Sequence, residues 1–148
     1  MTNWQDTTNS GFRASVMVID TSALVAMLQA EPERLRMLEA IARDTRRLMS
    51  AVTVLEAGMV LEGRFGPGAR VNLELFIFDA RIEIVPFDAR QSDAALRAWR
   101  IYGKGRHPAQ LNMGDCCVYA LAKANGEPVL AKGLDFPLTD IGVVQLVS

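Results

Sequence analysis

Four acidic residues of this 148-residue chain stand where a carboxylate can take part in chemistry. They are Asp20, Glu56, Asp115 and Asp135. Carboxylate oxygens suit the hard cations Mg²⁺ and Mn²⁺, which usually keep several waters and join substrate phosphates. A cation held in this way polarises a phosphate and generates hydroxide from bound water, with two cations about 3.5–4 Å apart in the strongest version. The set is therefore typical of metal-assisted hydrolysis of a phosphate ester.

Three of these acids lie just after a predicted strand or in the first turn of a predicted helix. Asp20 comes directly after the apolar run at 16–19, and Asp135 follows the run at 128–130 and a short turn. Both would lie beyond the carboxyl ends of strands, where open α/β sheets bind their ligands. Asp115 stands in the first turn of a helix predicted to begin at about Met113. Asp also favours turns and helix N-termini, so an ordinary structural role stays open for each residue taken alone.

Glu56 is the most informative of the four. It lies in a predicted helix at 52–65, among the apolar residues Val52, Met59 and Val60. A glutamate in the middle of an apolar stripe is costly to bury unless it meets a cation, a metal ion or a proton. A helix face slightly turned toward solvent would explain the residue equally well.

Short apolar runs alternate with longer amphipathic segments along the rest of the chain. We predict strands at 16–19, 48–50, 82–86, 128–130 and 143–147, and helices at 24–28, from Pro32, at 52–65, 69–80, 89–102 and 113–124. This alternation predicts one α/β domain over residues 16–148, with a mainly parallel sheet and helices on both faces. Residues 1–15 are polar and without periodicity, and we predict a disordered leader there.

The overall composition argues against several classes of protein. Half of the residues are hydrophobic and the formal net charge is −1, as in an ordinary globular domain. No apolar run approaches the ~18 residues that a membrane span needs, and residues 1–15 do not resemble a secretory signal. Cys116 and Cys117 are adjacent, so on a helix they point about 100° apart. We predict buried thiols in a reducing cytoplasm rather than a disulfide or a metal clip.

Five segments of the sequence resemble, in order, the motifs of PIN-domain proteins, and above all those of the VapC-type toxin ribonucleases of bacterial toxin–antitoxin pairs. They are VIDTSAL at 18–24, SAVTVLEA at 50–57, YGKGRHPA at 102–109, LNMGDCCVYALA at 111–122, and LAKGLDF at 130–136 followed by TDI at 139–141. Any one of these strings is a weak signal, whereas all five in order are highly specific.

The resemblance implies a three-layer α/β/α sandwich and endonucleolytic cleavage of RNA that depends on Mg²⁺ or Mn²⁺. It assigns Asp20, Glu56, Asp115 and Asp135 to the acidic site and makes Asp140 a further candidate ligand. Within this site we expect Asp20 and Asp115 to bind the metal directly, and Glu56 and Asp135 to orient water.

Cations and aromatic residues precede the helix that carries Asp115. Arg100, Lys104 and Arg106 are candidates for holding the RNA backbone, although a solvated run of charge explains them equally well. Trp99 and Tyr102 interleave with these cations, and we expect both rings to pack in the core rather than to stack on bases.

The resemblance also implies two protein partners. A cognate VapB-type antitoxin would insert its C-terminal segment into an apolar groove, and a homodimer would form through other helices. We predict the groove on the first two helices, because Leu24, Leu28, Leu35 and Leu38 cannot all face the sheet. Complete packing of these leucines in the core is the alternative.

Other functions compete with the toxin hypothesis. A free-standing PIN-fold nuclease and a non-catalytic module that binds RNA or a partner would both keep the fold. A phosphatase with Asp20 as nucleophile would usually need a second Asp two residues later, where Ser22 stands. The chain contains no P-loop string, and its single histidine, His107, does not support a Ser-His-Asp site.

Overall fold

The computed structural model describes residues 15–147, in which strands and helices alternate. The strands are β1 (Val16–Ile19), β2 (Arg46–Ser50), β3 (Ile82–Val85) and β4 (Val129–Leu130). The helices are α1 (Thr21–Leu28), α2 (Arg34–Arg43), α3 (Ala51–Phe65), α4 (Ala69–Asp79), α5 (Ala89–Tyr102) and α6 (Met113–Asn125), with a short 3₁₀-helix at Phe136–Leu138. The leader predicted at 1–15 lies outside the described residues except for Ser15, whose carbonyl oxygen accepts hydrogen bonds from the backbone N–H groups of Thr45 and Arg46.

The four strands form one parallel sheet in the order β3-β2-β1-β4. Parallel strands end at the same edge of a sheet, so the residues that follow β1 and β4 come together there. Asp20 is the residue after β1, and the loop that leads to Asp135 follows β4. The sheet order thus places two of the predicted acidic residues at neighbouring strand ends.

Helices cover both faces of this sheet. In β1, the side chains of Met17 and Ile19 belong to the core packed by α1 to α4, whereas Val18 belongs to the core packed by α5 and α6. All three side chains are fully buried, and each such burial stabilises the fold by about 1.5–3 kcal/mol. The predicted three-layer α/β/α sandwich is confirmed.

Side-chain caps determine where several helices begin. Asp20 caps α1 by accepting a hydrogen bond from the Ser22 N–H, and Ser50 caps α3 in the same way through Val52. Because Asp20 is the cap, α1 begins at Thr21 and not at Leu24 as predicted. Both caps stand at strand ends, so the N-termini of α1 and α3 point toward the edge that carries Asp20.

The C-terminal segment departs from the prediction. A fifth strand at 143–147 is wrong, since the pairing there is reduced to one parallel bridge between Val129 and Val143. The physical reason is that β4 spans only two residues, so it offers few backbone groups with which a further strand could pair. Cys116 and Cys117 are free and buried, as expected. Among the described residues, no helix is long and apolar enough to cross a membrane.

Candidate active site

Asp20 is buried at the carboxyl end of β1, with only 4% of its surface exposed. Its Oδ2 accepts hydrogen bonds from the N–H (3.0 Å) and the hydroxyl (2.5 Å) of Ser22, whereas Oδ1 is buried without any partner. Burial raises the pKa of Asp20 and the negative charge of Glu56 adds to the rise, while the hydrogen bonds from Ser22 oppose it. A buried carboxylate oxygen without a partner is costly, and a bound cation would satisfy it.

Ser22 connects Asp20 to the loop after β4. Its hydroxyl donates to Asp20 and accepts a hydrogen bond from the backbone N–H of Lys132 (2.9 Å). The sequence suggested that Thr21 or Ser22 could cap a helix, and placed Ser22 where a phosphatase would have a second Asp, but it did not indicate this connection to Lys132. The signal available was a hydroxyl residue two positions after an acid at a strand end, which is the ordinary spacing for a side-chain hydrogen bond to the cap.

Asp115 is fixed at the N-terminus of α6 by a reciprocal pair of hydrogen bonds. The Asn112 side chain accepts from the Asp115 N–H (2.9 Å), and Asp115 Oδ2 accepts from the Asn112 N–H (3.1 Å). Burial, together with the negative charges of Asp20, Asp135 and Glu56, raises the pKa of Asp115 to about 6. These charges act on Asp115 only because the four carboxylates share one region of the molecule.

Glu56 lies against the first turn of α6. A Cβ atom added at Gly114 would stand 2.8 Å from the Glu56 carboxyl carbon and 2.9 Å from its Oε1, so the glycine leaves the space that this carboxylate fills. The predicted apolar stripe around Glu56 is wrong, because α3 buries Thr53, Ala57 and Leu61 instead. Glu56 is half-buried at the edge of that face, where its charge raises the pKa of both Asp20 and Asp115.

Asp135 and Asp140 occupy different surroundings. Asp135 is exposed directly before the 3₁₀-helix, and its charge contributes to the raised pKa of Asp115. Asp140 accepts hydrogen bonds from the Tyr119 hydroxyl and from Lys123 Nζ (2.7 Å). Lys123 lies eight residues beyond Asp115 on α6, which is about 12 Å along a helix. Both oxygens of Asp140 thus already have partners, one of them the Lys123 cation, and we leave Asp140 out of the candidate metal site.

The chemistry of the remaining four carboxylates fits a hard divalent cation. They offer only oxygen ligands, and none of the ion pairs within residues 15–147 involves them. No three acidic, histidine or cysteine side chains of the described part already converge as a closed ligand set. Mg²⁺ is commonly held by one or two carboxylates, with water and substrate phosphates completing its octahedron. Two carboxylates, such as those of Asp20 and Asp115, would be enough for such a site.

The candidate RNA-contacting cations are all exposed around the C-terminal end of α5. The Arg106 guanidinium lies 4.1 Å from the centroid of the Trp99 ring. The expected core packing holds for Tyr102, whose ring packs on His107 (5.0 Å) and Tyr119 (5.6 Å). It does not hold for Trp99, which is 39% exposed.

The leucines expected to form an apolar groove on α1 and α2 are mostly covered. Leu24 is buried, Leu28 and Leu38 pack partly against the core, and Leu35 alone is well exposed. A large exposed apolar depression lies between α3, α4 and β3, with a volume of about 900 Å³, and we call it the α3–α4 groove. Its lining includes Leu55, Met59, Leu73, Phe78 and Ile84.

Comparisons with known proteins agree with this architecture. Residues 17–142 match the PIN domain family. The chain is 53% identical over 131 residues to Ribonuclease VapC30 of Mycobacterium tuberculosis, covering 88% of this chain and 99% of that protein. Its fold is similar to the crystal structure of VapC20 (Rv2549c) from Mycobacterium tuberculosis, a Sarcin-Ricin loop cleaving toxin, with a TM-score of 0.73, 18% identity and coverage of 88% and 99%. It is also similar to a chain of a toxin-antitoxin complex from Klebsiella pneumoniae, with a TM-score of 0.65, 16% identity and coverage of 88% and 99%. The chain thus belongs to the PIN-domain family and, within it, to the VapC ribonucleases.

Proposed function

We propose that this protein is the toxin of a type II toxin–antitoxin pair and that it hydrolyses RNA phosphodiester bonds as an endoribonuclease dependent on Mg²⁺ or Mn²⁺. The observation that carries the metal dependence is the buried, unpartnered Oδ1 of Asp20, with the charges of Glu56 and Asp115 near enough to interact with this carboxylate. The RNA substrate and the toxin role are supported by the relatives, which carry the name ribonuclease VapC.

Asp20 and Asp115 are the proposed direct metal ligands. Asp20 would use the oxygen that Ser22 leaves free, and Asp115 is held in place by its bond to Asn112. When bound, the cation would polarise the scissile phosphate and lower the pKa of a coordinated water. A carboxylate must be deprotonated to bind the metal. Because the pKa of Asp115 is raised to about 6, protons would compete with the metal ion for this carboxylate below about pH 6.

Glu56 and Asp135 are proposed to complete the acidic pocket. Glu56 belongs to α3 and Asp135 to the loop after β4, so the two would reach the site from different sides. From these positions they would orient a water for in-line attack on phosphorus. The exposed cations Arg100, Lys104 and Arg106 would hold the RNA backbone, whose phosphates attract Arg and Lys without regard to sequence.

The proposed protein partner is a VapB-type antitoxin. Its C-terminal segment would dock in the α3–α4 groove, which shares helix α3 with Glu56. A basic side chain of that segment reaching the carboxylates would block metal binding by charge as well as by occlusion. We also propose a homodimer through other helices, and a cytoplasmic location, where a reducing environment keeps Cys116 and Cys117 free.

Cleavage by purified, antitoxin-free protein tests the catalytic part of this proposal. We expect Mg²⁺ or Mn²⁺ to support cleavage of RNA and EDTA to abolish it. The variant Asp20→Asn should lose cleavage while keeping its circular dichroism spectrum. Asp79→Asn, at an exposed aspartate that ends α4, is the matched control and should cleave like the wild type. Undiminished cleavage by folded Asp20→Asn protein would contradict the proposed metal site.

A further inference from the structure

A second groove, which we call the α5–α6 groove, lies beside the acidic site. It has a volume of about 460 Å³ and lies between α5, the first turns of α6 and the start of α3. Its lining includes Val52, Leu96, Trp99, Lys104, Asn112 and Met113. None of these residues is itself a proposed metal ligand, and among them Asn112 alone supports one, as the cap of Asp115.

The groove is lined by residues that adjoin the acidic site along the chain. Asn112 and Met113 line it and precede Asp115 by three and two residues, and Val52 lines it one helical turn before Glu56. Asn112 is also the cap that holds Asp115. An RNA strand with one phosphate at the carboxylates would therefore have a neighbouring nucleotide at the mouth of the groove.

The Trp99 ring is held in place at this groove. A Cβ atom added at Gly103 would stand 2.5 Å from Trp99 Cδ1 and 2.9 Å from its Nε1, so the glycine lets the indole fold back on the end of α5. Gly103 is also paired with Leu111 in a parallel bridge. The Arg106 guanidinium lies over the ring. Because the ring is already fixed and partly exposed, little side-chain entropy is lost when a flat ligand binds to it.

The charges at the groove suit a nucleotide. Lys104 is the charged residue among those that line it, and the groove is otherwise apolar apart from Ser92 and Asn112. Arg106 adds a second positive charge at Trp99. An apolar cleft with an aromatic wall and cations beside it is the usual combination for binding an unpaired base together with its phosphates.

We infer that the α5–α6 groove binds an unpaired nucleobase of the RNA, next to the phosphodiester that is cut, with Trp99 as its aromatic contact. The inference rests on the proposed ribonuclease function, and it names the part of the molecule that would determine which RNA sequences are cut. Leu96, Trp99 and Met113 then decide which base fits. A folded stem would bind poorly, because its bases are already stacked and paired.

Trp99 itself provides a measurement that does not depend on cleavage. The other tryptophan of the chain is Trp4, so the full-length Trp4→Phe protein reports on Trp99 alone. In EDTA, which prevents cleavage, we expect a single-stranded RNA oligonucleotide to quench Trp99 fluorescence saturably. A fully paired hairpin of the same length should quench weakly. Removal of one base next to the cleavage site, as an abasic nucleotide, should weaken binding by about tenfold, the loss expected for one stacked base.

Two substitutions on α5 distinguish the effect of the groove on RNA binding from that of the surface around it. Leu96 lines the groove and is 46% exposed, whereas Ile101 is 57% exposed on the same helix but does not line it. Leu96→Asp places an anion in the groove and should weaken single-stranded RNA binding by about tenfold and change which sequences are cut. Ile101→Asp, with the same change of charge, should alter neither.

The outcomes distinguish this inference from the proposed function. Equal effects of the two substitutions, or no quenching of Trp99 by single-stranded RNA, would overturn the inference even if metal-dependent cleavage is normal. Quenching that Leu96→Asp abolishes would support the groove even if no divalent metal supports cleavage, in which case the nuclease proposal would fail alone. If Leu96→Asp leaves RNA binding intact and abolishes co-elution with the antitoxin, the groove binds protein and the inference is wrong.

Discussion

The Glu56 carboxylate occupies the space that a side chain at position 114 would fill. Glu56 belongs to α3 on one face of the sheet, and Gly114 belongs to α6 on the other. The two helices therefore meet at the carboxyl edge of the sheet, and the missing Cβ brings the Glu56 carboxylate next to the residue that precedes Asp115. The position of the Glu56 carboxylate thus depends on a residue without any side chain.

Gly114→Ala should impair cleavage without unfolding the protein. The new methyl group meets the end of a flexible glutamate side chain, so the carboxylate can move aside at little cost to stability. Displacement of a water-orienting group by about 1 Å can reduce the rate by about a hundredfold. We expect a ten- to hundredfold loss in the rate of RNA cleavage at saturating Mg²⁺, with a melting temperature close to that of the wild type.

Gly63→Ala is the control for this prediction. Gly63 also lies in a helix, and a Cβ there meets nothing within 4 Å. This substitution should leave cleavage unchanged and raise stability by about 0.5–1 kcal/mol. Equal cleavage by both variants would show that the Glu56 position does not matter for catalysis.

Residue types and local pattern sufficed to predict the layers of the fold and the acids at strand ends. Asp20 and Asp115 were predictable because a buried strand or a helix start is visible in the sequence around each of them. Gly114 and Ser22 were not, since their roles depend on Glu56 and Lys132, which lie far away along the chain. Asp140 has its hydrogen-bond partners on α6, Tyr119 and Lys123, which no local motif indicates.

Ser22→Ala should weaken metal binding through Asp20. The serine hydrogen bonds lower the pKa of Asp20 against the effect of burial, so losing the hydroxyl raises that pKa and favours the protonated carboxyl group. The backbone N–H of Lys132 also loses its acceptor, at a cost of about 1–3 kcal/mol in stability. We expect the Mg²⁺ concentration for half-maximal cleavage to rise about tenfold. Ser22→Thr keeps a hydroxyl and should restore most of the affinity; if Thr and Ala behave alike, the hydroxyl is not the cause.

Stability in the absence of metal should depend on pH through Asp115. Its pKa is raised in the folded protein, from 3.8 to about 6, so the folded state binds the proton more tightly than the unfolded state does. The stabilising contribution is complete below about pH 4 and is lost as the pH rises through 6. Asp115→Asn removes this loss and can still accept the hydrogen bond from the Asn112 N–H. In EDTA at pH 7.5 the variant should melt a few degrees higher than the wild type, a gain of about 1–3 kcal/mol.

The same measurement at pH 4.5 is its own control, because the wild-type and variant melting temperatures should then approach each other. Added Mg²⁺ at pH 7.5 should raise the melting temperature of the wild type and not that of Asp115→Asn. A variant that melts well below the wild type at pH 7.5 without metal would instead show that the Asp115 carboxylate stabilises the fold.

The docking site of the antitoxin can be tested by substitutions on two surfaces, the α3–α4 groove and the surface of α1 and α2. Met59 lies in the α3–α4 groove and is 68% exposed, and Leu35 lies on α2, on the surface first predicted from the sequence, and is 69% exposed. Co-expression with the adjacent open reading frame should yield a complex on size-exclusion chromatography that does not cleave RNA. Met59→Asp should release active toxin, because a buried charge without a partner costs several kcal/mol in an apolar interface, whereas Leu35→Asp should leave the complex intact.

The reverse pattern would return the docking site to α1 and α2, in spite of the burial of Leu24 and the partial burial of Leu28 and Leu38. Retention of the complex by both single variants would place the interface outside both surfaces. If the neighbouring protein neither co-elutes with the wild type nor reduces its cleavage, the toxin role fails. The nuclease would survive that result, since the four carboxylates and the metal that they are proposed to bind do not depend on a partner. Both a toxin and a free-standing PIN nuclease cleave RNA when no antitoxin is present. Loss of that cleavage on co-expression with the neighbouring protein is therefore the measurement that separates the two.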